Sequence, residues 1–276
     1  MYASNLAEET GIVASADIID ARLPIAEYII KTAGSMIIDT FHHTMRSADF
    51  ARELIHAIES LATKNVLQSF PEDGIFFPGG NLAMETRNGI EWIIDPVDGI
   101  HNFVRGIQEV GVQVAIRSRS ELLYASMYQP FNQEQSTAVR SQGAVYHDYR
   151  NGQELTLRVS ARPLEQALII YDGSLATSAS PRSLSVIAAV GPKVAETRVF
   201  GNSMQDFTMV AAGRAEALVT SVGHPEDVAA GILLVREAGG RVTNWAGEAT
   251  DVDSNDFIVS NGVVHDHIVG LLKGRV

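Results

Sequence analysis

The stretch that decides the fold runs from Glu91 to Gly106 and reads EWIIDPVDGIHNFVRG. It begins with an apolar run typical of a buried strand, and the run ends in two carboxylates, Asp95 and Asp98. Two carboxylates on one tight turn repel each other unless a positive charge lies between them. A plain turn would also explain these residues, because proline fixes φ and Gly99 supplies a positive φ. Taken alone, the stretch favours the turn, so the case for a metal ion needs a second observation.

That observation is an acidic residue at the start of a predicted helix, in GHPEDVAAG, residues 223–231. Asp227 lies in the first turn, where exposed N–H groups attract an anion. Three carboxylates from a strand end and a helix start can converge around magnesium, which prefers oxygen ligands. If a short helix follows Asp98, the backbone N–H groups of Gly99–His101 would form a phosphate cradle.

The composition narrows the classes of protein to be considered. The 276 residues suffice for one large core or two fused half-domains. The net charge of −12 argues against direct nucleic-acid binding, which needs clustered lysine and arginine. The absence of cysteine excludes disulfides, thiolate metal sites and cysteine nucleophiles. The sequence shows no signal peptide and no apolar run of membrane-spanning length, so we expect a cytoplasmic protein without membrane contact.

The first part of the chain predicts two helices followed by a sheet. One helix begins at Pro24 and reaches about His42, and a second follows Ser47. Their predicted inward faces are Ala26, Ile30, Ala33, Ile37 and Phe41, and then Phe50, Leu54, Ile58 and Leu61. From Ile90, short runs typical of strands follow in succession, which predicts an antiparallel sheet: EWIID, VGVQVAIR, LLYASMY, STAVR and LTLRV.

After Arg162 strands and helices alternate. The predicted strands are ALIIY, TRVF and EALVT, and the predicted helices lie near Arg182–Ala189, from Ser203, and over PEDVAAGILLVREAGG. We expect one unit over residues 1–276, with an N-terminal α+β half at about 1–155 and a C-terminal α/β half at about 156–276.

At this point WIIDPVDGIHNF and EDVAAGILLVREAGG resemble the two signatures of the inositol monophosphatase family, in the family's order and separation. The segments FPEDGI, GN at Gly201–Asn202, and SNDFIVSN extend the resemblance over nearly the whole chain. The resemblance implies a layered αβαβα sandwich of the inositol monophosphatase and fructose bisphosphatase type. It also implies a homodimer that uses magnesium, or manganese in its place, to hydrolyse a small phosphorylated metabolite: an inositol phosphate or a related sugar or nucleotide phosphate.

The resemblance assigns roles to individual residues. The metal ligands would be Asp95, the Val97 carbonyl, Asp98 and Asp227. The backbone N–H groups of Gly99 and Ile100 would hold the phosphate. The rest of the substrate site would comprise Gly201, Asn202, Ser203 and Asp227. Asp49 would orient the attacking water, and it completes a catalytic set with Asp95 and Asp98 for two-metal hydrolysis.

The sequence also departs from the family. Pro78 stands where the family has a metal-binding glutamate, and Ile100 replaces a threonine that positions the water. The HTMRS segment before Asp49, the lack of an acid near Thr220, and Glu226 in place of a tryptophan are further departures. Because losing a water-orienting group costs about 10²–10⁴-fold in rate, we expect a weak enzyme.

Two alternatives remain open, and two others are disfavoured. Glu72, Asp73 or Glu85 could replace the missing ligand. The chain could instead be an inactive family member that binds a ligand or a protein, since the bacterial extragenic-suppressor members of the family also act on the transcription machinery. A transition-metal site built from histidines is disfavoured, because His42, His43, His101, His224, His265 and His267 form no i, i+4 pair. A serine hydrolase is disfavoured too, because Ser203 has no nucleophile elbow.

Overall fold

A computed structural model describes residues 17–42, 47–78, 81–172, 181–221 and 224–273. Two helices, α1 (Leu23–Phe41) and α2 (Ala48–Ser69), pack against each other. Pro24 lies in the first turn of α1, where its missing N–H costs no helical hydrogen bond. Ser47 caps α2 by accepting a hydrogen bond from the Phe50 N–H. None of the helices in these ranges is long and apolar enough to cross a bilayer.

The first sheet has eight strands. They are β1 (Gly74–Phe77), β2 (Asn81–Met84), β3 (Ile90–Asp98), β4 (Gly111–Ser118), β5 (Glu121–Gln129), β6 (Glu134–Val139), β7 (Gly143–Asp148) and β8 (Gln153–Thr156). Their order is β2-β1-β3-β4-β5-β6-β7-β8. Strands β1 and β3 run parallel, and the other neighbours are antiparallel. Because β3 lies between β1 and β4, it is an interior strand, and eight of its nine residues are buried.

The second sheet has five strands in the order β10-β9-β11-β13-β12. They are β9 (Leu168–Asp172), β10 (Glu196–Arg198), β11 (Ala217–Thr220), β12 (Arg241–Thr243) and β13 (Phe257–Ser260). The remaining helices are α3 (Ile100–Arg105), α4 (Pro181–Val190), α5 (Ser203–Ala211), α6 (Pro225–Glu237) and α7 (His265–Leu272).

The elements stack in five layers. Helices α1 and α2 bury their apolar faces on one side of the first sheet, against Val112, Val114 and Ile116 of β4. Helices α5 and α6 fill the space between the two sheets. Helices α4 and α7 cover the outer side of the second sheet. Each sheet is therefore covered by helices on both sides, and the predicted αβαβα sandwich is confirmed.

Two local predictions need correction. The buried face of α2 is Ala51, Leu54, Ile58, Ala62 and Val66, whereas the predicted Phe50 and Leu61 are only half-buried. The predicted strand LTLRV is too long, because β8 ends at Thr156. Most of the HTMRS segment, residues 43–46, lies outside the described residues, as does Gly79–Gly80.

His265, one of the histidines considered as a ligand, is instead a structural residue. It is fully buried, with Nε2 lying 2.8 Å from Thr243 Oγ1 and Nδ1 lying 2.8 Å from Ser260 Oγ. Its pKa is lowered to about 4, chiefly by burial and in part by Arg241, whereas Asp266 opposes the shift. The neutral His265 side chain therefore links α7 by hydrogen bonds to β12 and β13 of the second sheet.

Because His265 is buried in its neutral form, we expect the protein to lose stability in acid. At pH values between the ordinary pKa of 6.5 and the folded pKa of about 4, His265 is protonated in the unfolded chain and neutral in the folded chain. The free energy of unfolding should therefore fall as pH falls through this window, and His265→Gln should flatten that slope in urea titrations. His267→Gln, on the exposed side of the same helix, is the control. An unchanged slope in His265→Gln would contradict the prediction.

Candidate active site

The end of β3 places two buried carboxylates side by side. Asp95 is opposite Gln113 of β4, and Asp98 is opposite Gly111, with a register shift between the two pairs. A proline interrupts the ladder here because it has no N–H to donate. A Cβ at Gly111 would lie 2.6 Å from the Tyr128 carbonyl oxygen of β5 and 2.0 Å from the end of the Met204 side chain, so this position requires glycine.

Asp98 is held by hydrogen-bond donors from two elements. Its Oδ2 accepts from Gln113 Nε2 at 2.9 Å, from Ser203 Oγ at 3.0 Å and from the Met204 N–H at 2.6 Å. Its Oδ1 accepts from the Ser203 N–H at 3.3 Å. Burial raises the pKa of Asp98, and the hydrogen bonds from Met204, Ser203 and the Gly99 N–H work against that rise. Asp98 is thus bound to the first turn of α5.

Asp95 is in a different electrostatic position. Its Oδ1 accepts a hydrogen bond from the Val97 N–H at 3.1 Å. Burial raises its pKa well above the ordinary value, and the negative charges of Asp98, Asp227 and Glu226 add to the rise. Asp227 and Glu226 both come from the first turn of α6. The predicted meeting of the strand end with this helix start is therefore visible in the electrostatics of Asp95.

The segment after Asp98 forms the short helix α3. Gly99 precedes it with φ of +82°, and a Cβ there would lie 2.6 Å from the Glu109 carbonyl oxygen, so the position requires glycine. Ile100 is half-buried and packs with the apolar core. Asn102 Nδ2 donates to the carbonyls of Phe200 and Gly201, which fastens α3 to the segment before α5.

The predicted substrate residues Gly201, Asn202 and Ser203 lie beside Asp98. Gly201 has φ of +69°, and Asn202 caps α5 by accepting a hydrogen bond from the Gln205 N–H at 2.9 Å. The Nδ2 atom of Asn202 is buried and has no hydrogen-bond partner in the described part of the chain. It lies 3.2 Å from the position that a Cβ on Gly99 would occupy, so it belongs to the same site.

Two predicted residues lie at its margin. Asp49 is in the first turn of α2 with its side chain 79% exposed, and it forms an ion pair with Arg52. Pro78 follows β1, which pairs in parallel with β3 so that Phe76 is opposite Ile93. Pro78 and Asp95 each lie two residues beyond this last pair, along strands that run in the same direction.

The three candidate replacement ligands are not alike. Asp73 is fully buried, and its carboxylate accepts two hydrogen bonds from Arg22, at 2.7 Å each, and one each from Asn88 and Trp92. It is committed to this ion pair, so it offers no free oxygen. Glu72 and Glu85 are exposed.

Two residues that contribute to the site were not predicted from the sequence. Gln113 lies 15 positions beyond Asp98 and reaches it only because β4 pairs with β3. Glu226 was noted as a departure, but its burial in α6 adds a fourth acidic group next to Asp95. Within the described ranges, no three His, Asp or Glu side chains gather closely enough to hold a metal ion.

The chain is similar in sequence and in fold to known proteins. Residues 12–275 match the sequence model of the inositol monophosphatase family. A fructose-1,6-bisphosphatase/inositol-1-monophosphatase of Thermotoga maritima is 27% identical over 258 residues, covering 91% of this chain and 96% of that protein. The Nus factor SuhB of Escherichia coli is 30% identical over 217 residues, covering 78% and 79%. The crystal structure of the extragenic suppressor protein suhB of Bartonella henselae superposes with a TM-score of 0.82 at 25% identity, covering 93% and 100%.

The environment of Asp95 predicts a stabilising substitution. Because the folded pKa is raised, ionised Asp95 costs stability as pH rises above the ordinary value of 3.8. In EDTA at neutral pH, Asp95→Asn should therefore raise the free energy of unfolding, by on the order of 1 kcal/mol. Asp253→Asn, an exposed position, should leave it unchanged. A lower urea midpoint for Asp95→Asn would show that the charge is compensated.

Proposed function

The chain belongs to the inositol monophosphatase family, and on that basis we propose that it hydrolyses small phosphomonoesters with magnesium, at a reduced rate. The substrate class is an inositol phosphate or a related sugar or nucleotide phosphate. The names of its relatives support phosphatase chemistry in general. We also expect the protein to form a homodimer and to be located in the cytoplasm.

The observation that carries this proposal is the unbalanced negative charge at Asp95. A buried carboxylate normally gains a cationic or hydrogen-bonding partner, as Asp73 does with Arg22. At Asp95 the neighbouring charges are acidic instead, and they raise its pKa. A divalent cation would relieve this repulsion. A turn with no metal-binding role would not need so many acidic groups near one another.

The donor set fits magnesium in part. Asp95, Asp227 and the Val97 carbonyl supply hard oxygen ligands of the kind magnesium binds, with Glu226 close to them. Asp98 fits less well, because its oxygens already accept hydrogen bonds from Gln113 and α5. When bound, magnesium supplies the positive charge that lowers the pKa of water and neutralises phosphate oxygens.

The chain's own residues would orient the substrate. The turn at Gly99 and Ile100 offers backbone N–H groups to the phosphate, although the Gly99 N–H also serves Asp98. Asn202 Nδ2 is a buried donor without a partner among the described residues, and it suits a substrate oxygen. Gly201 and Ser203, on either side of Asn202, would complete this part of the substrate site. Asp49 would orient the attacking water only after turning away from Arg52.

The reduced rate follows from two apolar residues. Pro78 and Asp95 each lie two residues past the last β1–β3 pair, and a carboxylate at Pro78 would add a ligand there. Ile100 packs with the core, where a hydroxyl would orient the water. The same features support a second candidate function, a non-catalytic regulator that binds a phosphorylated ligand or a protein, and one relative is named as a Nus factor.

An assay with purified protein tests the proposal. With magnesium and a panel of inositol phosphates, sugar bisphosphates and nucleotide 3′-phosphates, we expect turnover below about 1 s⁻¹ on at least one substrate. Asp95→Asn and Asp227→Asn should abolish both this turnover and saturable magnesium binding in calorimetry, whereas Asp253→Asn should change neither. No turnover on any substrate would favour the regulator.

Restoring the two missing groups is the sharper test. Pro78→Glu with Ile100→Thr should raise turnover by more than about tenfold, because a ligand and a water-orienting hydroxyl return together. Each single change should do little, so that a double-mutant cycle shows coupling. If the double variant binds magnesium and stays inert on the panel, the regulator becomes the better assignment. A natural turnover on the order of 1–10³ s⁻¹ would show that no impairment exists.

A further inference from the structure

The two aspartates of the site, three positions apart and both buried, have unequal hydrogen bonding. Within the described part of the chain, the carboxylate of Asp95 accepts one hydrogen bond, from the Val97 N–H. The carboxylate of Asp98 accepts four from Gln113 and α5, three of them at Oδ2, and a further one from the Gly99 N–H. Because a carboxylate oxygen has two lone pairs, a cation approaching Asp98 Oδ2 would have to displace a donor.

Gln113 is the side-chain donor to Asp98 that comes from outside α5. Its side chain is buried, and its Nε2 donates both to Asp98 Oδ2 at 2.9 Å and to Ser203 Oγ at 3.0 Å. It therefore links β4 and the end of β3 with the first turn of α5. A negative carboxylate there is favourable, because it faces the positive end of the helix dipole.

The other end of the same amide indicates that Gln113 is not placed for stability alone. Gln113 Oε1 is buried and has no hydrogen-bond partner in the described part of the chain. An unpaired buried acceptor costs stability, so a glutamine placed only for stability would be a poor choice here.

We propose that Gln113 is a positioning residue that holds the Asp98 carboxylate on the first turn of α5 and so withholds it from a cation bound at Asp95 and Asp227. Asp98 then joins the first sheet to the helical layer between the sheets. The withholding half of this inference rests on the proposed magnesium site, and the anchoring half does not.

Binding of Mn²⁺ alone tests the withholding. Gln113→Met keeps the length of the side chain and removes the donor, so it should tighten Mn²⁺ binding about tenfold in calorimetry, because one donor fewer then competes with the cation for Asp98 Oδ2. Gln135→Met is the matched control. Gln135 is equally buried in the same sheet, but it donates to Glu27 and Ser126. A purely structural role for Gln113 would not tighten binding.

The outcomes separate this proposal from the proposed function. Wild-type binding that Gln113→Met leaves unchanged or weakens would overturn this proposal and leave the function standing. Binding that appears only in Gln113→Met would support it and would contradict magnesium use by the natural chain. If neither protein binds Mn²⁺, both are overturned.

Unfolding in EDTA tests the anchoring. Asp98→Asn should lower the folded-to-unfolded ratio by about 10- to 100-fold, because an amide N–H₂ would face donors. A double-mutant cycle should show coupling of Asp98 with Gln113 and none with Gln135. If Asp98→Asn does not fold, Ser203→Ala, which removes one donor, should show the same coupling with Gln113. Additive effects with Gln113 would overturn the anchor.

Discussion

Burying carboxylates at the end of an interior strand is the constraint on which the rest of this structure depends. Strand β3 is covered on both faces, so Asp95 and Asp98 leave water together with the apolar residues before them. A buried charge is tolerated only when donors or cations surround it. The neighbouring elements therefore have to be arranged around these two groups.

Elsewhere the chain shows how it accommodates a buried carboxylate. Asp73 pairs with Arg22 and the Trp92 indole, and this links the start of α1 to β3. Glu216 accepts hydrogen bonds from Ser160, Arg162 and the Leu168 N–H, and these fix the entry to the second sheet. Against this background Asp95 is the exception, because the charges that act on it are acidic. The exception lies where the family carries out its chemistry.

The fold is that of the family, and apolar residues stand at Pro78 and Ile100, where the proposed function would place a metal ligand and a hydroxyl. A scaffold of this kind tolerates such changes, since the layers are held by Asp73, Glu216 and the cores, and none of these depends on turnover. Phosphatase and regulator therefore remain alternatives that the site's chemistry, and not its fold, has to decide.

The sequence by itself determined what depends on local spacing. The apolar period of α1, the run into Asp95 and the helix start before Asp227 are readable because neighbours along the chain share one helix or strand. The buried face of α2 was predicted only in part. Ala51 and Ala62 are buried there, whereas the prediction had chosen the larger Phe50 and Leu61. Only the tertiary structure decided that Gln113 binds Asp98, that Arg22 takes Asp73, and that Glu226 is buried beside Asp95. These contacts join distant segments, and the physical reason is that the pairing of a buried charge is set by which strands and helices become neighbours.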